Sequence, residues 1–400
     1  MSAAVASAHA AAGGAARLPA VDGARAIAAL SILAYHVSFQ LGGLRGDAGP
    51  WLAHLNVGVP IFFLISGYLL YRPFVAARLA GRPAPALVPY AVRRALRIVP
   101  AYWVALVLVA LWLGRDDVFT FARGPLYFGL AQLYDADTFT GGIGQAWTLG
   151  VEVTFYALLP LWAWAVRRDA SAHSRADIVR AELGLLAALF TAGVVWKVMV
   201  AGRGGAQALS PALAWLPGFL DHFALGMALA VAMAALDLDP GGRRPPPALR
   251  LVVAAAWPLA LVGWLALGLA GGAPGAGLTQ QVLIQHEAKG LIALAVLVPA
   301  LLPAALAGAA GRALTARPLR WAGTMSYGVY LWHLAVVIQL DRWDARAAVG
   351  VTGFAAAALA GAFLLGWASW MLVERPAIAL GRRSGAGTTP AVETHERVAP

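Results

Sequence analysis

The chain has 400 residues, of which 60% are hydrophobic, 12% are charged and none is cysteine. Soluble domains carry roughly 25% charged residues, so water is not the main solvent of this chain. The lack of cysteine excludes disulfides, thiolate catalysis and cysteine metal sites, and we expect no metal. The net charge of +11 does not indicate a nucleic-acid partner, because the arginines fall in short segments between apolar blocks.

Ten apolar blocks are long enough to cross about 30 Å of hydrocarbon as helices. In chain order they are 24–41, 55–71, 98–113, 147–166, 183–201, 211–236, 251–270, 290–306, 321–340 and 351–373. They predict an all-α polytopic membrane protein with one transmembrane domain, residues 21–376, between disordered cytosolic tails at 1–20 and 377–400. Residues 115–145 mix aromatic residues with arginines and aspartates, and we expect an interfacial or re-entrant element on the outer side.

The distribution of lysine and arginine predicts the orientation, because cytoplasmic connections of membrane proteins hold the excess of basic residues. With the N-terminus inside, the inner segments hold 22 basic residues and the outer segments hold 7. Both termini are therefore predicted to face the cytoplasm. The predicted location is the cell inner (plasma) membrane, in contact with its lipids.

Ionisable side chains within the predicted spans are costly in hydrocarbon, so each is a candidate functional residue. They are His36, Glu152, Lys197, Asp221, His222 and His333. Asp221 and His222 point about 100° apart on a helix, and we expect one of them to line a cavity. For His333, a hydrogen bond between helices is an equally good interpretation.

His36 follows Arg25 by eleven residues, close to three helical turns, so both project from one face of the first span. Arg25 then lies at the cytosolic surface and His36 near the centre of the bilayer. Glu152 and His333 fall at overlapping depths, and a carboxylate beside a histidine is typical of a general base acting on a hydroxyl. Two alternatives stay open: a neighbouring helix satisfies His36, and Glu152 pairs with Lys197 or an arginine.

A predicted loop carries more positive charge than orientation requires, at Arg72, Arg78, Arg82, Arg93, Arg94 and Arg97. Arg94 and Arg97 share a helix face just before Pro100. The cluster suits a phosphate-rich cytosolic ligand, and contact with anionic lipid headgroups explains it equally well. At the end of the second span, Ser66 favours helix packing or substrate contact over a role as nucleophile.

Six segments stand in a specific order along the chain. They are LPAVDGARAIAALSILAYH (18–36), VGVPIFFLISG (57–67), RALRIVP (94–100), WTLGVE (147–152), SYGVYLWH (326–333) and ERP (374–376). Together they resemble acyltransferase family 3, membrane O-acyltransferases that modify bacterial surface glycans and some secreted metabolites. The resemblance covers about residues 18–380, and no soluble domain is expected after the last span.

The resemblance implies an O-acyltransferase that moves an acyl group, most simply acetyl, from acyl-coenzyme A to a hydroxyl of a cell-surface glycan or glycosylated metabolite. It implies that no cofactor is needed beyond this co-substrate. By the same resemblance His36 is the catalytic base, Glu152 supports the site, and Arg25, Arg94 and Arg97 place the donor. Further candidates for substrate binding are Ser66, Trp147, Asp221, Tyr330 and His333.

The sequence departs from the family pattern at Thr148, where serine is common, and at Val153, where a second acidic residue often follows Glu152. This chain therefore lacks the second carboxylate of the family pattern. Two other function classes compete with the enzyme. One is a proton-coupled transporter or exporter with His36, Glu152 and Asp221 as a proton relay. The other is a membrane scaffold whose polar residues only join helices.

Overall fold

The computed structural model describes residues 18–167, 174–203, 211–237, 247–270, 278–302 and 308–386. Within these ranges the chain is helical and contains no β-strand. The ten long helices are α1 (Pro19–Gln40), α2 (Gly58–Leu79), α3 (Leu87–Leu113), α4 (Trp147–Arg167), α5 (Arg175–Arg203), α6 (Leu220–Asp237), α7 (Pro247–Ala270), α8 (Leu278–Leu301), α9 (Ser326–Arg342) and α10 (Ala345–Ser369). They follow the ten predicted blocks in order.

Nine helical stretches of the described residues are long and apolar enough to cross a membrane, and α9 adds a helix of 17 residues. The outer surface is correspondingly apolar: on α7, Leu251, Leu259 and Leu269 are exposed by 71%, 62% and 77%. Such side chains suit a lipid environment. The prediction of an all-α, multi-pass membrane protein is confirmed, while the orientation of the termini stays a prediction.

The predicted boundaries of the transmembrane domain differ from the helices at both ends. Helix α1 already begins at Pro19, because proline is favoured in the first turn of a helix. At the other end, α10 continues through a π-helical turn at Trp370–Glu374 into the helix Arg375–Ala386. Most of the two predicted tails, residues 1–17 and 387–400, lies outside the described residues.

Residues 115–146 form short helices and turns, and none of them is long enough to cross a membrane. This segment packs on α3: Tyr102 donates a hydrogen bond to the carbonyl of Tyr127 (2.7 Å), and Trp103 donates one to the carbonyl of Phe128 (2.9 Å). Side-chain donors thus supply hydrogen bonds to carbonyls that lie outside long helices. Irregular backbone at a membrane requires such partners, because lipid offers none. The segment also brings Gln145 to α9, described below.

The six arginines predicted in one loop lie mostly within helices, because α2 and α3 extend further than their apolar blocks. Only Arg82 falls in the connection between the two helices. The guanidinium of Arg78 is buried and pairs with Glu182 of α5 at 2.7 Å, while Tyr71 donates a short hydrogen bond to the same carboxylate. Arg78 therefore joins helices, whereas Arg94 and Arg97 remain available for a ligand.

Helices α2 and α6 cross at two glycines. A Cβ atom on Gly226 would lie 2.2 Å from the carbonyl oxygen of Leu64, and one on Gly67 would lie 2.6 Å from the carbonyl oxygen of Phe223. Close approach of backbones through small residues is the usual means of helix association in membranes. The contact fixes α6, and with it His222, against α2.

We predict that Gly226→Ala destabilises the protein by about 1–3 kcal/mol, because the added methyl group forces two tightly packed backbones apart. A lowered midpoint of thermal unfolding in detergent would report this change. Gly184→Ala is the matched control, since nothing lies within 4 Å of its Cβ position and alanine favours a helix over glycine. Equal midpoints for the two variants would contradict the close crossing.

Candidate functional site

Two of the cavities between the described helices contain residues that the sequence singled out. The first, which we call the arginine cavity, has a volume of about 240 Å³. Its charged lining residues come from three helices: Arg25 from α1, Arg94 and Arg97 from α3, and Glu152 from α4. The remaining lining residues include Ser66, Tyr156, Tyr327 and Tyr330. The structure thus brings together six of the residues that the sequence singled out.

In the arginine cavity the carboxylate accepts two side-chain hydrogen bonds, whereas the guanidinium groups make few. Glu152 accepts hydrogen bonds from Ser66 (Oγ to Oε1, 2.8 Å) and from Tyr156 (hydroxyl to Oε2, 3.1 Å). Arg25 donates to the hydroxyl of Ser326 at 3.3 Å. Nε of Arg94 is buried and has no hydrogen-bond partner among the described residues. A cavity with three guanidinium groups and one carboxylate suits an anionic ligand.

The second cavity, which we call the histidine cavity, has a volume of about 430 Å³. Three histidines from three helices line it: His36 from α1, His222 from α6 and His286 from α8. Lys289 of α8 and Trp147 of α4 also line it. The other polar and aromatic lining residues are Tyr35, Asn56, Gln145, Thr148, Phe219, Gln285 and Tyr330.

The two cavities are neighbours, since Ile32, Val59, Thr148 and Tyr330 line both of them. Within this common wall the hydroxyl of Tyr330 lies 2.5 Å from the backbone oxygen of Gln145 and 2.5 Å from the hydroxyl of Thr148. The backbone oxygen is only an acceptor, so Tyr330 donates to it and accepts from Thr148. The side-chain amide of Gln145 in turn donates to the carbonyl of Tyr330 at 2.8 Å.

The hydrogen bonds around His36 fix which ring nitrogen carries its proton. Nδ1 of His333 lies 2.7 Å from the carbonyl of Tyr330, so this nitrogen is protonated and Nε2 of His333 is an acceptor. Nδ1 of His36 lies 3.0 Å from that Nε2 and 3.0 Å from the carbonyl of Ile32, and therefore carries the proton. The neutral His36 ring consequently keeps its lone pair on Nε2, as a general base requires.

The structure does not place Glu152 against His36, although the sequence led us to expect a carboxylate beside this ring. Glu152 follows Thr148 by four residues, so it lies on the same face of α4 and about 6 Å further along the axis, in the arginine cavity. His333 holds the His36 ring instead. His333 is buried and lines neither cavity, which makes it a support of His36 rather than a contact of the substrate.

Asp221 was predicted to bind substrate, yet it lines neither cavity. It is fully buried behind the histidine cavity, where its carboxylate pairs closely with Lys197 of α5 and lies 3.2 Å from Nε2 of His286. Lys197 also pairs with Glu287 of α8 at 2.6 Å. The alternative pairing of Lys197 with Glu152 is therefore wrong. Of the adjacent pair in α6, His222 is the residue that lines a cavity.

Asp221, His222 and His286 offer ligand atoms within 4.8 Å of one another, a spacing compatible with a metal ion. The ammonium group of Lys197 already neutralises Asp221, however, and His286 donates to the same carboxylate. These contacts explain the group as an ion-paired network that joins α5, α6 and α8. We assign no metal to it.

The apolar block predicts an eighth span that begins at residue 290, so the prediction does not include His286, Glu287 and Lys289. The structure begins α8 at Leu278, so the polar stretch before the block also forms helix. A usable signal was the spacing of Gln285 and Lys289, four residues apart and hence on one helix face.

The transporter hypothesis requires a proton relay through His36, Glu152 and Asp221. In the described part of the chain these three residues are not joined to one another by hydrogen bonds. His36 contacts His333, Glu152 contacts Ser66 and Tyr156, and Asp221 contacts Lys197 and His286. Each candidate thus belongs to a separate hydrogen-bond network.

A family model described as an acyltransferase domain matches residues 18–371. The chain belongs to acyltransferase family 3. This confirms the resemblance to a family of acyltransferases. No solved structure matches the chain at a significant level.

Several curated proteins are similar to this chain in sequence. The peptidoglycan O-acetyltransferase OatA of Listeria monocytogenes is 24% identical over 80% of this chain and 49% of its own length. The exopolysaccharide production protein ExoZ of Rhizobium meliloti is 27% identical over 81% of this chain and 90% of its own. The acyltransferase MdmB of Streptomyces mycarofaciens is 26% identical over 95% of this chain and 97% of its own. The chain thus spans about half the length of the Listeria relative.

We predict that Lys197→Met destabilises the protein by about 3–5 kcal/mol, because two carboxylates then lose a buried counter-charge. The double variant Lys197→Met, Asp221→Asn is expected to recover part of this loss, since the more deeply buried of the two carboxylates is neutralised. Thermal unfolding in detergent measures both effects. Additive losses in the double variant would contradict the ion-paired network.

Proposed function

We propose that this chain transfers an acyl group, most simply acetyl, from acyl-coenzyme A to a hydroxyl of a cell-surface glycan or glycosylated metabolite in the inner (plasma) membrane. The observation that carries the proposal is the position of His36, which lines the histidine cavity and follows Ile32, a residue of the wall shared with the arginine cavity, by one helical turn. Family membership supports an acyltransferase. The names of the Listeria and Rhizobium relatives, which refer to peptidoglycan and exopolysaccharide, support a glycan acceptor.

The arginine cavity is the proposed site of the donor. Arg25, Arg94 and Arg97 supply guanidinium groups that bind phosphate with paired hydrogen bonds, and coenzyme A carries three phosphate groups. Arg25 and His36 share a face of α1 and lie about 16 Å apart along its axis. The phosphates would therefore stay beside the arginines while the narrow pantetheine arm carries the thioester toward the common wall.

The histidine cavity is the proposed site of the acceptor, with its hydroxyl at Nε2 of His36. This nitrogen takes the hydroxyl proton while the oxygen attacks the thioester carbonyl carbon, which forms the new C–O bond. The C–S bond then breaks, and the departing thiolate of coenzyme A takes the proton from His36. The thioester is already activated, so positioning and proton removal are the contributions that the protein must supply.

His333 and Glu152 act through other groups in this proposal, as positioning residues. His333 fixes the tautomer and the orientation of the His36 ring through the hydrogen bond at 3.0 Å. Glu152, held by Ser66 and Tyr156, keeps a negative charge beside the arginines of the donor site. The proposal requires no cofactor beyond acyl-coenzyme A.

We predict that His36→Ala lowers acetyl transfer from acetyl-coenzyme A to cell-surface glycans by about 10²–10⁴-fold, the usual contribution of a general base. Transfer of radiolabelled acetyl groups in membrane vesicles measures the loss. Binding of coenzyme A and the thermal midpoint should stay close to wild type, because the arginine cavity does not include His36. Full transfer by a folded His36→Ala protein would refute the proposed base.

We predict that Arg94→Gln raises KM for acetyl-coenzyme A about tenfold with a smaller change in kcat, because Arg94 binds phosphates and takes no part in the bond changes. Arg93→Gln is the matched control: Arg93 is exposed and lines neither cavity. Steady-state kinetics compare the two variants. Equal effects of both would show that general positive charge, as in contact with lipid headgroups, explains the arginines.

A further inference from the structure

Lys289 is the only lysine or arginine that lines the histidine cavity, and no carboxylate lines this cavity within the part of the chain that the structure describes. Its other ionisable lining residues are the three histidines and two tyrosines. Two carboxylates, Asp221 and Glu287, lie close behind the wall, but both are paired with Lys197. None of the ion pairs among the described residues gives Lys289 a carboxylate within 4.0 Å.

The position of Lys289 in α8 indicates that its ammonium group, which has no carboxylate beside it, serves a function. The candidate membrane span within its helix is Leu283–Leu301, so Lys289 lies about 9 Å along that span, in the polar stretch that precedes the apolar block. Intramembrane lysines are costly and normally pair with an anion or face a water-filled cavity that serves function. Gln285, one turn earlier, lines the same cavity, so the two side chains present a cation and an amide to a common ligand.

We infer that the histidine cavity binds the acceptor glycan and that Lys289 pairs with an anionic group of it, a carboxylate or a phosphate. This inference rests on the proposed function and adds the class of acceptor. Tyr35 and Trp147 add aromatic side chains to the lining, and Asn56 and Gln285 add amides, a mixture that suits the apolar and hydroxyl groups of a sugar. His36 lines the same cavity, so a sugar held there presents a hydroxyl to the base.

A charged acceptor group also gives selectivity. A neutral sugar would leave the ammonium of Lys289 in a partly apolar cavity without a counter-charge, whereas an anionic sugar pairs with it by charge-assisted hydrogen bonds. A site built around a polar group discriminates strongly against ligands that leave this group unpaired. The anion can belong to the sugar itself, as in a uronic acid, or to a phosphate on the anomeric oxygen, as in lipid-linked glycans.

Binding of three matched probes to the purified full-length protein tests the inference. The probes are methyl β-D-glucopyranoside, which is neutral, methyl β-D-glucopyranosiduronate and glucose 1-phosphate. Calorimetry is performed with saturating coenzyme A, so that the arginine cavity is occupied and does not bind the anions. We expect at least one anionic probe to bind about tenfold or more tightly than the neutral glucoside. The anion that is preferred identifies whether carboxylate or phosphate is recognised.

Two variants assign the preference to Lys289. Lys289→Gln is expected to abolish it by weakening the anionic probes, while the neutral glucoside binds at least as tightly as before because no unpaired ammonium is left in the cavity. Lys289→Arg is expected to retain the preference. The inference is overturned if no anionic probe binds more tightly than the glucoside, or if the preference survives in Lys289→Gln. Transfer from acetyl-coenzyme A is measured separately, so an anion preference without any transfer would refute the proposed function alone.

Discussion

A chain of hydrogen bonds runs from the carbonyl of Tyr330 through His333 to His36, and the proposed role of His36 depends on it. Nδ1 of His333 lies 2.7 Å from that carbonyl, and Nε2 of His333 lies 3.0 Å from Nδ1 of His36. An imidazole can accept or donate at either nitrogen, so only its partners determine where the lone pair lies. Here α9 provides those partners, and α1 presents Nε2 as the nitrogen with a lone pair.

The wall that contains Tyr330 also separates the arginine cavity from the histidine cavity. Tyr330 lines both cavities, and its hydroxyl is held by Thr148 and by the backbone of Gln145. If each long helix crosses the membrane once, α6 and α8 begin at the face where α1 ends. His222, in the first turn of α6, then lies near that face, whereas Arg25 lies near the opposite one. A donor and an acceptor on opposite sides of a bilayer would thus meet at one histidine.

The sequence predicted the helices and half of the site for clear physical reasons. Apolar length determines where a chain can cross hydrocarbon, and the three-turn spacing of Arg25 and His36 depends only on helix geometry. The arginine cavity was predictable because its residues lie in recognisable segments. The partner of His36 was not, since Glu152 and His333 have similar depths and only the packing of α4 and α9 distinguishes them. Lys289 was missed because polar residues continue α8 beyond its apolar block.

The proposed function places the donor and acceptor cavities at opposite membrane faces, with His36 in the acceptor cavity one helical turn from the wall between them. The chain contains no cysteine, so single cysteines can report accessibility without background. Ser66→Cys probes the arginine cavity, Asn56→Cys the histidine cavity, and Arg93→Cys marks the face where α3 begins. In proteoliposomes, a membrane-impermeant maleimide should label Ser66→Cys from the Arg93 face only, with protection by coenzyme A, and Asn56→Cys from the opposite face only, without protection. Labelling of both from one face would contradict the account.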